Sequence, residues 1–181
     1  MSHRQYFLII TKGKKMKKIF TLAAVIAGVF VAGAMEFKVE CEKFTVDANS
    51  KSQGMGSASE GALLFFAKGG ATATAKIDIP ETQRYYVWVR DYSMNGKTRR
   101  GTLSINNRKV GTFGDAVTPT GKGAVWMWNK APFPVKLEAG EATFKIVGNP
   151  NCRFDTIYFT DDPNAKPDGK MGDTPEVEPY N

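Results

Sequence analysis

Short strand-forming segments follow one another through most of this chain, and they limit its fold more than any other feature. Alternating, β-branched and aromatic residues form FKVECEKFTV, ATATAKIDIP, YYVWVRDY and CRFDTIYFT, and short apolar runs form GALLFFAKG and AVWMW. After Met35, no window of about a dozen residues has the apolar period of 3.6 residues that is typical of an amphipathic helix. Eight or nine short strands separated by Gly, Pro and Asn predict an all-β fold, an antiparallel β-sandwich.

Turn signals divide these strands. Asn106-Asn107 interrupts TLSINNRKVGTF, and Ala139-Gly140 interrupts FPVKLEAGEATFKIV. Asn and Gly tolerate the left-handed backbone of tight turns, so Asn106-Asn107 predicts a hairpin and Ala139-Gly140 predicts a turn. The polar, glycine-rich segment DANSKSQGMGSASEG, residues 47–61, predicts a long loop instead.

The first 34 residues follow the order of a secretory signal. The basic run KGKKMKK precedes the apolar run IFTLAAVIAGVFVAGA, which ends in the small residues Ala32-Gly33-Ala34. We expect a signal peptide over residues 1–34 with cleavage after Ala34, and Met16 is an alternative start. An uncleaved membrane anchor is the alternative interpretation. The expected location is secreted, periplasmic or at the cell surface.

The remaining chain divides into a domain and a tail. We expect a single β-sandwich module over residues 35–160, because the strand signals end there. Residues 161–181 are rich in Pro, Asp and Gly and contain almost no aliphatic residues. This composition predicts a flexible C-terminal tail.

The leader changes the meaning of the net charge. The chain has 25 basic and 18 acidic residues, a net charge of +7. Six basic residues and no acidic residue precede Met35, so the remainder has 19 basic and 18 acidic residues. A charge near zero argues against nucleic acid as a partner, and no membrane partner is expected after cleavage. The single histidine, His3, belongs to the leader, which removes imidazole from any catalytic or zinc site of the module.

The two cysteines lie near opposite ends of the expected module, at Cys41 and Cys152. In an oxidising compartment a disulfide between them is the first expectation. Closing so long a loop contributes roughly 4 kcal/mol in the chain-entropy model. The alternative is a pair of buried thiols.

Two neighbouring carboxylates raise an electrostatic question in the first strand. Side chains alternate along an extended chain, so Glu40 and Glu42 would project from one face while Cys41 points the other way. Two carboxylates on one face repel each other. The residues alone leave two interpretations open: a bound cation, or a solvated strand face beside Lys or Arg.

The order of these motifs resembles the galactose-binding-like β-sandwich, a jelly roll, of carbohydrate-binding module families six and thirty-five. Related C-terminal modules occur in secreted polysaccharide lyases and hydrolases. The resemblance rests on the acidic first strand, on VWVRDY, on GAVWMWNKAPFPVKLEAGEATFKIVG and on the final RFDTIYFT. It covers about residues 37–160.

The resemblance implies a structural calcium ion. In that family an E-x-E in the first strand and an Asp in the last strand help to hold the ion, and the matching residues are Glu40, Glu42 and Asp155. Ca²⁺ takes several oxygen ligands at about 2.3–2.6 Å and would relieve the repulsion of clustered carboxylates. The first and last strands would then be neighbours, and Cys41 could meet Cys152.

The resemblance also implies a sugar site at the loop-bearing end of the sandwich, where an exposed aromatic ring stacks on a pyranose. Trp126 matches that ring, whereas Trp128 is expected in the core. Tyr92 and Asn95 are expected to supply a second wall and an amide. The alternative for Trp126 is burial in the core.

Arg153 stands where family six often has an asparagine. A guanidinium favours a carboxylate or sulfate group, so the expected glycan includes acidic ones such as a uronic acid. The alternative is a structural ion pair with Asp155 or Asp91.

We therefore expect a non-catalytic protein that binds a polysaccharide or another glycan. Glu40 and Glu42 point the same way rather than flanking a bond, which is the wrong arrangement for glycoside hydrolysis. The alternative is a structural or protein-interaction module of the cell envelope, with an envelope protein or an enzyme as its partner.

Overall fold

Two antiparallel sheets face each other in a computed structural model of the chain, which describes residues 34–93, 99–114, 124–167 and 177–178. The predicted all-β sandwich is confirmed. Residues 1–33 of the expected signal peptide lie outside the described ranges. The strands are β1 (Glu36–Glu40), β2 (Thr45–Val46), β3 (Ser50–Gly54), β4 (Ala62–Phe66), β5 (Ala71–Ile79), β6 (Gln83–Ser93), β7 (Gly101–Ile105), β8 (Arg108–Phe113), β9 (Ala124–Lys130), β10 (Val135–Leu137), β11 (Gly140–Gly148), β12 (Arg153–Thr160) and β13 (Val177–Glu178).

The eight-stranded sheet is organised around β6 and β12. Its order is β13-β9-β6-β12-β4-β3, and β1 and β10 pair with the remaining lengths of β12 and β6. Along one edge β12 pairs with β6. Along its other edge it pairs first with β4 and then with β1, over Thr156 to Thr160. The first and last long strands of the module are therefore neighbours, as the resemblance implied.

The five-stranded sheet has the order β2-β5-β11-β7-β8. Asn106 and Asn107 have φ values of 49° and 63° and join β7 to β8, which confirms the predicted hairpin. Gly140 has a φ of 101° at the start of β11, where the second turn was predicted. Left-handed backbone at these positions explains why Asn and Gly occur there.

The core lies between the sheets, and strict alternation fills it. In β11 the burial pattern alternates along the strand, with Ala142, Phe144 and Ile146 pointing inward. The opposing sheet contributes Phe37 from β1 and Phe159 from β12, whose rings stack with centroids 4.6 Å apart. Side chains of period two from both sheets thus form one continuous apolar layer.

Both cysteines are free thiols, so the predicted disulfide is wrong and the alternative of buried thiols is confirmed. Cys41 lies in a single 3-10 turn, Cys41–Lys43, which follows β1, and Cys152 directly precedes β12. Burial raises the pKa of both thiols well above the usual range. Because the thiolate is the reactive form, both side chains act as small apolar groups of the core.

The segment 47–61 is more ordered than predicted, because it contains the five residues of β3, paired with β4. The sequence SKSQG has no apolar alternation, since an edge strand with solvent on most of its surface needs none. Asp47 anchors the segment by accepting a hydrogen bond of 2.6 Å from the Thr72 backbone N–H. That bond, the hydroxyl of Ser50 and further hydrogen bonds lower the pKa of the Asp47 carboxyl.

The described residues contain no helix that is long and apolar enough to cross a membrane. In the expected tail, β13 pairs with Ala124 and Val125 of β9. Residues 168–176 and 179–181 of that tail lie outside the described ranges.

We predict that Gly148→Ala destabilises the fold. The backbone of β11 at Gly148 packs directly against the Phe66 ring. A Cβ atom at this position would overlap Phe66 Cγ, which is a steric clash. Overpacking of this kind costs about 1–3 kcal/mol. The control is Gly54→Ala in β3, where nothing lies within 4 Å of the new Cβ. Urea unfolding should show a lower midpoint for Gly148→Ala and an unchanged or slightly higher one for the control; equal midpoints would contradict the packing.

Candidate functional site

Three carboxylates meet where β1 ends beside β12. Glu40 is the last residue of β1, Glu42 lies in the 3-10 turn, and Asp155 is in β12. One oxygen of each lies within 4.8 Å of the other two. The expectation that Glu40 and Glu42 share one strand face is wrong, because the strand stops at Glu40. The tight turn, rather than strand alternation, directs Glu42 back towards Asp155.

This acidic cluster is buried and closed by the segment between β3 and β4. Asp155 is fully buried, and only 6% of Glu40 is exposed. The Ser59 backbone N–H donates to Asp155 Oδ1 at 3.1 Å, and the Ser59 hydroxyl donates to Glu40. Thr156 Oγ1 donates to Glu40 Oε2 at 3.0 Å. Ser59 was not predicted as a site residue, since a serine in a polar loop carries no signal in the sequence.

Two cations partly compensate the three carboxylates. Lys38 Nζ lies 2.8 Å from Glu40 Oε1 at the rim. Arg90, which is 1% exposed, forms a buried ion pair with Asp155. Glu42 Oε2 is buried without a hydrogen-bond partner among the described residues. One carboxylate of the cluster therefore has an oxygen that neither a cation nor a donor satisfies.

The protonation of the cluster reflects this imbalance. Burial raises the pKa of Glu42 to about 7, and the charge of Glu40 adds to the rise. Burial also raises the pKa of Asp155, although its hydrogen bond with Arg90 works in the opposite direction. For both carboxyl groups, the nearby positive charge is too small to offset the cost of burying the ionised form.

The residues of the cluster fit a metal ion. Oxygens separated by at most 4.8 Å can all touch one cation whose metal–oxygen distance is about 2.4 Å. The unsatisfied Glu42 oxygen supplies the ligand that has no other partner. The buried cluster can therefore hold a metal with Glu40, Glu42 and Asp155 as protein ligands.

Trp126 is buried, so the expectation of an exposed indole at this position is wrong. Only 3% of its surface is exposed. Its Nε1 donates to Ser57 Oγ at 2.9 Å, and the Arg90 guanidinium lies 4.3 Å from the ring centroid. The segment that closes the acidic cluster also covers this indole. A sugar contact at Trp126 stays a prediction, but the alternative of burial describes its environment.

The other residues of the expected sugar site lie close to Trp126. The ring of Tyr92 packs edge-on against Trp126, with centroids 4.9 Å apart, and is itself buried. The Arg153 guanidinium is half-buried, 5.7 Å from the Tyr92 ring. Asn95 lies outside the described residues. The structure thus brings Trp126, Tyr92 and Arg153 together, and their binding role stays a prediction.

A second group of aromatic residues reaches solvent on the outer surface of the eight-stranded sheet. We call it the outer aromatic face. Strand pairing aligns Tyr158 of β12, Trp88 of β6 and Lys130 of β9 in one row. Tyr86, Trp88 and Trp128 are half-buried, so the expectation that Trp128 belongs to the core is also wrong.

Lys130 places a positive charge over this face. Its Nζ lies 4.7 Å from the Tyr86 ring centroid and 5.2 Å from that of Trp88. The same ammonium donates to the Pro163 carbonyl at 2.9 Å. The alternation of YYVWVRDY contained the signal for this face, because Tyr86 and Trp88 are two residues apart on the polar side of a strand whose other side is core.

Solved structures of the same fold include carbohydrate-binding modules. A family 35 module from Clostridium thermocellum is 18% identical with a TM-score of 0.52, over 67% of this chain and 96% of the module. The C-terminal family 6 module of the laminarinase LamC from Zobellia galactanivorans is 17% identical with a TM-score of 0.53, over 69% of this chain and 98% of the module. The fold is therefore the galactose-binding-like β-sandwich of these modules.

Matches to enzymes are partial. A β-(1,4)-mannanase from Podospora anserina with a family 35 module is 19% identical with a TM-score of 0.54, over 74% of this chain but 29% of the enzyme. The chain thus spans less than a third of that enzyme. No protein-family model and no curated protein sequence matches this chain.

We predict that the metal-free protein loses stability as pH rises from about 4.5 to about 7. Between these values the folded state holds a proton on Glu42 that the unfolded chain has released, because folding raises the pKa of Glu42 from 4.5 to about 7. The free energy of unfolding must then fall across this window. Asp155, whose pKa burial also raises, contributes with the same sign.

Urea unfolding in chelator at several pH values measures this slope. Glu42→Gln should make it shallower, whereas the exposed control Glu81→Gln should leave it unchanged. Parallel slopes for Glu42→Gln and the unsubstituted protein would contradict the assignment.

Proposed function

We propose that this protein is a non-catalytic carbohydrate-binding protein whose ligand lies on the outer aromatic face. The observation that supports it is the set of half-buried rings of Tyr86, Trp88 and Trp128, on a fold that carbohydrate-binding modules share. Apolar ring faces that reach solvent are what the C–H face of a pyranose requires. Trp126 offers no such face, so we propose Trp88 and Trp128 in its place.

The dimensions and charge of this face suit a chain of sugars. Neighbouring strands lie about 4.8 Å apart, so the row from Tyr158 to Lys130 is about 10 Å wide, which accommodates roughly two sugar rings. Lys130 is exposed and supplies an ammonium group beside the rings. A carboxylate on the ligand would pair with that ammonium, which favours an acidic polysaccharide over a neutral one.

We further propose that the metal of the acidic cluster is calcium, held by Glu40, Glu42 and Asp155. Ca²⁺ accepts an all-oxygen set with flexible geometry, whereas Mg²⁺ demands near-ideal octahedral geometry at about 2.0–2.1 Å. When bound, the ion supplies positive charge and no reaction chemistry. Its protein ligands belong to β1, the following turn and β12, so the ion would fasten the two ends of the module together.

Catalysis is not part of the proposal. The clustered carboxylates surround a buried point instead of flanking an open cleft, and the chain after His3 has no imidazole. Export of the protein through residues 1–34 remains our proposal from the sequence, with a secreted, periplasmic or cell-surface location.

A protein-interaction role is the second candidate function. Phe133 is 76% exposed and stands between Pro132 and Pro134, which limit its backbone freedom. A rigid exposed phenyl group is an effective anchor for a partner protein. An envelope protein or an enzyme is the partner that this function would require.

We predict that Ca²⁺ raises the melting temperature of the protein and that chelator lowers it. Binding to the folded state alone stabilises it by RT ln(1 + [L]/Kd), about 2.7 kcal/mol at a hundredfold excess over Kd. Mg²⁺ should restore little of the loss. Glu42→Gln should remove most of the response to Ca²⁺, while Glu81→Gln keeps it. A melting temperature of the unsubstituted protein that does not change with Ca²⁺ would refute the calcium proposal.

We predict that Trp88→Ala and Trp128→Ala each weaken glycan binding about tenfold. An aromatic contact contributes about 0.5–1.5 kcal/mol beyond its buried area, and 1.4 kcal/mol is tenfold in affinity. Calorimetric titration with polygalacturonate and with a neutral galactan measures the effect, with Phe133→Ala as the exposed aromatic control. Lys130→Ala should reduce binding of polygalacturonate only. Failure of both polysaccharides to bind, or loss through Phe133→Ala alone, would count against this face.

A further inference from the structure

A cleft of about 390 Å³ opens along one side of the sandwich, between β1 and β5. Its floor is apolar and includes Phe37, Val39 and Ile77, which belong to the core or pack against it. Its rims carry charged side chains from both sheets. The cleft is separate from the outer aromatic face, and the proposed sugar binding does not use it.

Among the described residues, the rim formed by β1 is a free strand edge. The Met35 carbonyl accepts from the Asp161 N–H, on the side of β1 that faces β12. Backbone groups alternate in direction along an antiparallel strand, so those of Lys38 and Glu40 point away from β12. Within the described residues, β12 is the only strand that pairs with β1.

The described strands also leave part of the rim formed by β5 as a free edge. Thr72 exchanges hydrogen bonds with Asp47 on the side of β5 that faces β2. The same alternation directs the backbone groups of Lys76 and Asp78 to that side. In the described part of the chain, β2 covers β5 only at Ala73 and Thr74. Two edges that no described strand pairs with therefore face one apolar cleft.

We propose that this cleft binds an extended peptide segment of a partner protein, which adds a strand to the free edge of β1. Strand edges supply backbone hydrogen bonds to such a segment, and a floor beneath them accepts every second side chain. A peptide uses both features of the cleft. A polysaccharide has no row of alternating N–H and C=O groups and would use only the floor.

Charges at the two ends of the cleft define the direction of the peptide. Lys43 stands at the end where β1 stops, and Asp78 stands near the opposite end. The ion pairs among the described residues include Lys38 and Lys76 but neither Lys43 nor Asp78. A peptide antiparallel to β1 begins beside Lys43 and ends beside Asp78. Its first residue should therefore be acidic and its last residue basic.

The length of the cleft sets the size of the peptide. From Thr74 to Asp78, β5 rises about 13 Å at roughly 3.3 Å per residue. Five extended residues span that length, with two apolar side chains on the floor and three side chains outward. The pentapeptide EVTVK, acetylated and amidated to remove its terminal charges, has this pattern.

The test titrates the full-length protein with EVTVK, with the charge-swapped KVTVE and with the doubly acidic EVTVE. Amide NMR shifts report the affinity, and hydrogen exchange reports the backbone pairing. We expect EVTVK to bind about threefold more tightly than KVTVE, because exposed ion pairs contribute about 0.2–1 kcal/mol each. The amides of Lys38 and Glu40 should become protected on binding.

Asp78→Lys supplies the decisive variant, because Asp78 is exposed and its replacement should not disturb folding. This variant should prefer EVTVE to EVTVK by about threefold. Glu138→Lys is the matched control, since Glu138 is exposed directly after β10 and its replacement changes the net charge equally. The control should keep the preference for EVTVK.

Three results would overturn the proposal. The first is that all three peptides bind equally, or that the amides protected on binding lie outside β1. The second is a shift of the Lys38 and Lys76 amides by polygalacturonate but by none of the peptides, which would make the cleft a sugar site. The third is a concentration-dependent shift of the same amides without peptide, which would indicate pairing between two copies. The first and third results leave the proposal for the outer aromatic face unchanged, and Trp88→Ala and Trp128→Ala test that face separately.

Discussion

The pairing of β1 with β12 is the contact on which the rest of this structure depends. It places Glu40 and the turn that carries Glu42 beside Asp155, although more than a hundred residues of chain separate them. Three carboxylates in one buried place are unfavourable unless cations compensate them. Arg90, buried beside Asp155, and Lys38 at the rim supply part of that compensation. The negative charge that Arg90 and Lys38 leave uncompensated allows the cluster to bind a metal ion.

The short segment between β3 and β4 connects this cluster to the aromatic end of the sheet. Ser59 binds Asp155 and Glu40, and two residues earlier Ser57 accepts the hydrogen bond of Trp126. Arg90 contacts both groups, since it pairs with Asp155 and lies over the indole. The segment therefore contacts both the acidic cluster and the indole where it crosses the sheet. This explains why an indole that its strand would present to solvent is buried.

The fold separates its two candidate binding surfaces by the kind of group each presents. The outer aromatic face offers side chains of paired, central strands, with backbone groups already satisfied within the sheet. The cleft between β1 and β5 offers the reverse, because its side chains form a floor while its backbone edges are unpaired among the described residues. Sugars interact with ring faces and hydroxyl-binding groups, whereas extended peptides need strand edges. One small domain can thus serve both kinds of ligand without competition.

The sequence by itself determined most of the strands, the Asn106-Asn107 hairpin, the turn at Gly140 and the fold, because alternation and turn chemistry are local properties that each segment carries. It also singled out Glu40, Glu42 and Asp155, through their likeness to a known family of modules. Only the tertiary structure decided which of the two indoles is buried and which reaches solvent. Trp126 and Trp128 lie on the same side of β9 and are equivalent in alternation, and the difference comes from a loop some 70 residues earlier that covers one of them. The cysteines show the same limit, since the turn after β1 buries Cys41 as a free thiol where strand geometry and an oxidising compartment suggested a bridge. Contacts between distant segments depend on how sheets and loops pack together, and no local pattern records that packing.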